Sequence, residues 1–258
     1  MVGFKNSKDV KDIVKYFIDN HGKLSRFDSL TNILNEIGIK YSLQILGGET
    51  NTRNVIIRFG SKTKKALAFG AHYDVWGTSV GINDNTVAVA TLISLALELK
   101  DVEKFNQPVE IVFFDKEETG MVGASLYAQS NPKVDFVYIL DIIGYGNTKL
   151  LCGVDDKETI LPQISPLIER GFRYMNTDLP SDNAVLKYSL PTKLVVVTPK
   201  VDLIVEDNRS RKVRLKPNPT FYSSFHNKKN DNNIKKINWS IAREIKGDML
   251  EVIERWNK

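Results

Sequence analysis

Hydrophobic positions recur along this chain with two different periods, and their alternation outlines the fold. Residues 7–19 place Val10, Ile13, Val14, Phe17 and Ile18 at helical spacing. A second amphipathic helix runs through Phe27, Leu30, Ile33, Leu34 and Ile37 and stops at Gly38. Tyr41–Leu46, Asn54–Phe59 and Ala66–Phe69 read as strands, with Gly47-Gly48 as a turn. Residues 86–99, TVAVATLISLALEL, are apolar on almost every side and predict a helix buried against a sheet. Val109–Phe114 and Val134–Leu140 are unbroken apolar runs, the pattern of strands covered on both faces. Helices are expected over 120–130 and over 157–171, the latter ending at Gly171, and a strand over Lys193–Val197. A last helix over 233–256 lines up Ile234, Ile237, Ile241, Ile245, Met249, Val252 or Ile253, and Trp256 on one stripe.

Strands alternating with helices predict an α/β fold, a single mixed, mostly parallel β-sheet flanked by helices on both faces. No repeat, low-complexity segment or linker divides the chain, so residues 1–258 are expected to form one domain. The least regular stretch, 200–232, is rich in Lys, Arg, Asn and Pro and reads either as a surface excursion or as a loop flanking a site. Its part 200–225 leads into His226 and carries Phe221, Tyr222 and Phe225, candidates for a specificity loop. Tyr222 is also a candidate to stabilise an oxyanion.

Composition adds little that alters this picture. With 42% hydrophobic and 26% charged residues the chain can bury a substantial core and is not expected to be disordered. The net charge of +5 is spread over lysine-rich segments at 193–216 and 228–246. No nucleic-acid motif accompanies it, so a solvated basic surface is expected and not a nucleic-acid partner. One cysteine, Cys152, excludes an intramolecular disulfide and fits a reducing compartment. In Leu150-Leu151-Cys152 it reads as a buried small hydrophobe rather than a nucleophile. The polar N-terminus and the want of a continuous apolar span of about 18 residues lead to the expectation of a cytoplasmic protein without a membrane partner.

The chemistry concentrates in five short motifs, most of them placed where an apolar strand ends: Ala71-His72-Tyr73-Asp74, Gly81-Ile82-Asn83-Asp84-Asn85, Lys116-Glu117-Glu118-Thr119-Gly120, Leu140-Asp141 and Phe225-His226. Sites in open α/β sheets form at the carboxyl ends of strands. His72 is a good zinc ligand, and Asp74 is placed to fix its tautomer, although an H-x-D alone also suits a polar turn. Asp84 sits at the mouth of the buried helix, where Asn83, Asp84 or Asn85 reads first as its cap, and where a carboxylate could also bridge two cations. Glu117 and Glu118 read either as a surface acidic pair before a helix or as one metal ligand beside one base. Asp141 ends the most apolar strand and needs a partner there. His21, in an Asn-His-Gly loop, reads as solvated.

Taken in order, these motifs resemble those of the M28 metallopeptidases, the di-zinc aminopeptidase group, over roughly residues 65–231. The resemblance implies a phosphorylase/hydrolase-like fold and a zinc-dependent exopeptidase, most readily an aminopeptidase acting on peptides. It places two zinc ions, replaceable by cobalt or manganese: His72 and Asp141 on one, Glu118 and His226 on the other, Asp84 between them. Glu117 would be the general base for a hydroxide held by the metals, and Asp74 would orient His72. Two cations about 3.5–4 Å apart suit that chemistry. The chain departs from the family pattern at Ser181-Asp182-Asn183-Ala184, where many members carry Ser-Asp-His. It departs again after His226, where Asn227 stands for Thr and Asp231 lies five residues on rather than four. Two other functions share the scaffold: a single-zinc glutaminyl-peptide cyclase, and a catalytically inactive binding protein.

Overall fold

The structure is a computed structural model that describes residue 4 and residues 7–48, 51–153, 161–176, 179–198, 203–204, 214–215 and 231–258. Eight strands form one mixed sheet: β1 (Ser42–Leu46), β2 (Thr52–Phe59), β3 (Ala66–His72), β4 (Val109–Phe114), β5 (Val134–Leu140), β6 (Thr148–Cys152), β7 (Arg173–Met175) and β8 (Thr192–Thr198). Their spatial order is β1-β2-β4-β3-β5-β8-β6-β7. The central pairings β4–β3, β3–β5 and β5–β8 are parallel, as is β6–β7, while β1–β2, β2–β4 and β8–β6 are antiparallel. Two further short strands, β9 (Leu203–Ile204) and β10 (Arg214–Leu215), pair with each other apart from this sheet.

The pleat sorts side chains to two cores. From β3, Leu67, Phe69 and Ala71 enter the larger one, and Ala66 and Ala68 the smaller. On the larger side pack α1 (Val10–Asn20), α2 (Arg26–Glu36), α3 (Val87–Leu99), α5 (Leu161–Glu169) and α7 (Trp239–Trp256). On the other side lie α4 (Val122–Gln129) and the short α6 (Asn183–Leu186). Every residue of α3 except Glu98 is buried, as its all-round apolar sequence predicts. The stretch Ile82–Leu99 is long and apolar enough to cross a membrane by length and composition, yet 94% of it is buried inside the protein, where it serves as the central core helix.

Several elements differ from their sequence outlines. β3 runs past Phe69 to His72 because Gly70, Ala71 and His72 continue the ladder opposite Val112, Phe113 and Phe114. Glycine is required at 70: a Cβ there would sit 2.9 Å from Ile139 Cδ1 and collide with the Phe114 ring. β6 and β7 carry no clear strand pattern, since β6 includes Lys149, whose Nζ lies 2.8 Å from buried Asp248 and 2.5 Å from Glu244 on α7. The expected helix over 157–171 is described from Leu161 on. The last helix is interrupted: a 3-10 turn at Ile234–Lys236 precedes α7, which starts after Asn238, whose side chain accepts from Ile241 N at 3.3 Å.

Candidate active site

Three parallel strands deliver the acidic motifs to one edge of the sheet. β3 ends on His72, β4 leads through Asp115 to Glu117 and Glu118, and Asp141 follows β5. His72, Asp84 and Asp141 are buried, and Glu117 and Glu118 are partly so. His72 Nε2 lies 3.1 Å from Asp84 Oδ1 and 3.6 Å from Asp141 Oδ1. Among the described residues, His72 Nε2, Asp141 Oδ1 and Glu118 Oε1 are buried with no aligned hydrogen-bond partner. Ligand atoms of His72, Asp84 and Glu118 lie within 4.8 Å of one another. Buried polar atoms that converge on a point and bond to nothing are costly unless a cation takes them up. The donors are nitrogen and carboxylate oxygen, a set that suits zinc and also tolerates cobalt or manganese.

Asp74 stands behind this cluster. Its Oδ1 lies 3.4 Å from His72 Nδ1, and its two oxygens accept the backbone N–H groups of Glu117 (3.1 Å) and Glu118 (3.2 Å). Burial opposes the Asp74 charge, but His72 and these two N–H groups outweigh it and hold the carboxyl below its usual range. Asp74 thus meets the imidazole through its backbone O, 3.3 Å from His72 Nδ1, and through its carboxylate, which also holds the acidic turn. Burial also opposes a charged His72, yet the carboxylates of Asp141, Asp74 and Asp84 hold its pKa well above the ordinary value.

Asp84 belongs to a five-residue turn, Ile82–Thr86, that precedes α3. The capping alternative does not hold, since neither this turn nor α3 has a side-chain cap hydrogen bond. Its neighbours grip the loop carrying Asp141 instead. Asn83 Oδ1 accepts from Gly144 N at 2.7 Å, while Asn85 donates to Leu140 O at 2.9 Å and accepts from Ile142 N at 3.3 Å. A Cβ at Gly144 would stand 2.8 Å from Asn83 Oδ1, so glycine permits that clamp. Ile142, immediately after Asp141, has φ 51, a left-handed conformation that β-branched residues avoid. Lys116, immediately before Glu117, has φ 58.

The carboxylates load one another. Burial first, and then the charges of Asp141, Asp182 and Asp84, push the Glu117 pKa well up, against the pull of His72. Burial and Asp84 do the same to Glu118. The acidic turn precedes α4 by several residues and is not its first turn, which removes the surface-pair reading of Glu117 and Glu118.

The structure therefore brings His72, Asp74, Asp84, Glu117, Glu118 and Asp141 together, while His226, Phe221, Tyr222 and Phe225 lie outside the described residues. It also adds groups that sequence reasoning missed or left open. Asp182 is fully buried and neither carboxylate oxygen has a partner among the described residues; burial, with Asp74 and Asp141, pushes its pKa up to about 8 although His72 opposes them. Asp231 accepts from Asn83 N at 2.7 Å and Asp84 N at 3.1 Å, giving it a structural role that its irregular spacing after His226 did not reveal. Arg26, in the N-terminal helix α2, reaches the same region and had no sequence signal beyond its charge.

The fold is shared with solved structures, and part of the sequence with a curated protein. The fold is similar to that of the glutaminyl cyclase of Porphyromonas gingivalis, with a TM-score of 0.70 at 14% identity over 96% of this chain and 98% of that one. It is also similar to BSAP, a zinc aminopeptidase from Bacillus subtilis, with a TM-score of 0.59 at 17% identity over 78% of this chain and 49% of that one. In sequence, 80 residues are 35% identical to a probable lipoprotein aminopeptidase, LpqL, of Mycobacterium tuberculosis, a match that takes in 30% of this chain and only 16% of that protein. The model of Peptidase family M28 matches residues 54–253, a span that contains every acidic and histidine motif described above, and the chain belongs to that family.

Proposed function

We propose that this protein is a zinc-dependent exopeptidase of the aminopeptidase type, hydrolysing the terminal peptide bond of a peptide substrate. The observation that carries the reading is the convergence of ligand atoms of His72, Asp84 and Glu118 within 4.8 Å, with His72 Nε2, Asp141 Oδ1 and Glu118 Oε1 buried and, among the described residues, without an aligned hydrogen-bond partner. His72 and Asp141 would hold one zinc, Glu118 and His226 the other, with Asp84 shared. When bound, the ions would polarise the scissile carbonyl and acidify water.

The protein's own groups do the rest. Asp74 holds His72 Nδ1, which leaves Nε2 facing the ligand cluster. Glu117, anchored through its N–H to Asp74, takes a proton from the attacking water and returns it to the leaving amine. Burial and the neighbouring carboxylates raise the Glu117 pKa in the metal-free chain, and bound cations would draw it back toward the ionised form a base requires. Asn83 and Asn85 keep the Asp141 loop in register with Asp84.

A glutaminyl-peptide cyclase is the second reading, favoured by the near-complete overlap in length with a cyclase of the same fold. Metal analysis coupled to assays on aminoacyl and on N-terminal glutaminyl peptides separates the two. Release of free amino acids with two zinc ions per chain supports the peptidase. Cyclisation of glutaminyl peptides with one zinc supports the cyclase.

A further inference from the structure

The buried turn that carries Asp84 is held from outside the family core, by a residue the catalytic reading does not use. Arg26 is the first residue of α2, upstream of the segment that matches the M28 family. Its Nε donates to Tyr73 O at 3.0 Å, between His72 and Asp74. Its Nη2 donates to Thr86 Oγ1 at 2.7 Å, and that hydroxyl in turn donates to Gly81 O at 2.5 Å, closing the turn that contains Asp84. The guanidinium lies over the Phe17 ring, 4.7 Å from Cζ to the centroid.

On the other side of the turn, Asp231 accepts from Asn83 N and Asp84 N, and its carbonyl accepts from Ile82 N at 3.1 Å. Asn232 Oδ1 extends this seam by accepting from Val80 N at 2.8 Å. Arg26 therefore ties the His72–Asp74 segment to one end of the Asp84 turn, and Asp231 pins its middle. A planar fork with fixed donor directions can bridge two backbone segments at a set spacing, which a lysine cannot reproduce.

We propose that Arg26 is a positioning residue that sets the separation of His72 and Asp84, so that the N-terminal helix α2 tunes cation binding at the catalytic site. The inference rests on the reading of His72 and Asp84 as metal ligands. It assigns Arg26 no contact with substrate. The hydrogen bonds of Arg26 act through Tyr73 O and Thr86 Oγ1, and its buried charge also faces Asp74 and Asp231.

The test is cobalt titration of the metal-free full-length chain, followed by visible absorption, with thermal unfolding of each variant in parallel. Arg26→Met is expected to weaken cobalt binding about tenfold or more and to alter the absorption band of the bound ion. Arg26→Lys should recover part of the affinity but not the wild-type band. Thr86→Val keeps Arg26 yet removes its acceptor, so it should shift the band in the same sense even if Arg26→Met folds poorly. Ile33→Val, at a fully buried position of α2 with no hydrogen bond to the turn, is expected to lower stability without changing the band. Wild-type affinity and spectrum in both Arg26→Met and Thr86→Val would overturn the proposal. So would a band shift in Ile33→Val, which would make the effect one of stability. A wild-type chain that binds no cobalt would instead overturn the metal reading, and this inference with it, in the wild-type arm alone.

Discussion

His72 Nε2 stands 3.1 Å from Asp84 Oδ1, in a cluster that Asp141 and Glu118 also approach. Ligand atoms of His72, Asp84 and Glu118 within 4.8 Å of one another are spaced to share a cation. Replacing His72 or Asp84 by alanine is expected to abolish paired zinc uptake, measured as bound zinc per chain after dialysis. Two zinc ions retained in either variant would place the metals elsewhere.

Asp74 should behave as a lever on two groups at once. Asp74→Asn keeps the shape, but weakens the hold on His72 and replaces two charge-assisted hydrogen bonds from Glu117 and Glu118 by weaker ones. Loss of such an orienting carboxylate costs about 10–100-fold in metal affinity or activity. Both zinc affinity and turnover should fall by that order, as isothermal titration and steady-state kinetics would show. Unchanged zinc affinity would mean that Asp74 does not orient His72.

The pH dependence of the metal-free protein follows from the raised carboxyl groups. Glu117 and Glu118 are raised, Asp182 titrates near 8 and Asp231 near 7, each above its unfolded value of about 4. The folded chain then binds more protons than the unfolded chain, so their contribution is fully present below about pH 4 and is lost as pH rises through those folded values. His72, raised as well, acts in the same direction above its unfolded value of about 6.5. The melting temperature of the metal-free protein should fall from pH 6 to pH 9, and zinc should remove most of the slope. A melting temperature that climbs over this range contradicts the electrostatic picture of the site.

Asp182 isolates one part of that effect. It is fully buried, and neither of its oxygens has a partner among the described residues. Asp182→Asn removes the charge with almost no change in volume. It is expected to raise the metal-free melting temperature at pH 9, where Asp182 is ionised, and to leave it nearly unchanged at pH 5. Equal shifts at both values would show that packing, and not charge, governs this position.

Much of the site was legible because its residues sit where strong patterns stop. The apolar runs of β3 and β5 and the all-round apolar α3 are unmistakable, and His72, Asp84 and Asp141 lie at their ends. Glu117 and Glu118 follow β4 for the same reason. What could not be read is what tertiary contact decides. Whether Asp84 capped α3 depended on the side chains of Asn83 and Asn85, which instead clamp the Asp141 loop. Arg26 and Asp231 are ordinary charged residues in sequence, and only folding brings both to the Asp84 turn, from opposite ends of the chain. β6 hid its strand character behind Lys149, whose charge is balanced by Asp248 and Glu244 far along the chain.

The central claim is that Glu117 moves the proton while His72, Asp84, Glu118, Asp141 and His226 hold metal. The most direct measurement compares Glu117→Gln with the wild type, determining bound zinc and the rate of amino-acid release in the same samples. The amide cannot accept the proton, and general-base catalysis is worth about 100- to 10,000-fold. Peptide hydrolysis should drop by that factor while zinc content stays at the wild-type level. Hydrolysis at the wild-type rate with zinc still bound would contradict the assignment of Glu117 as the base.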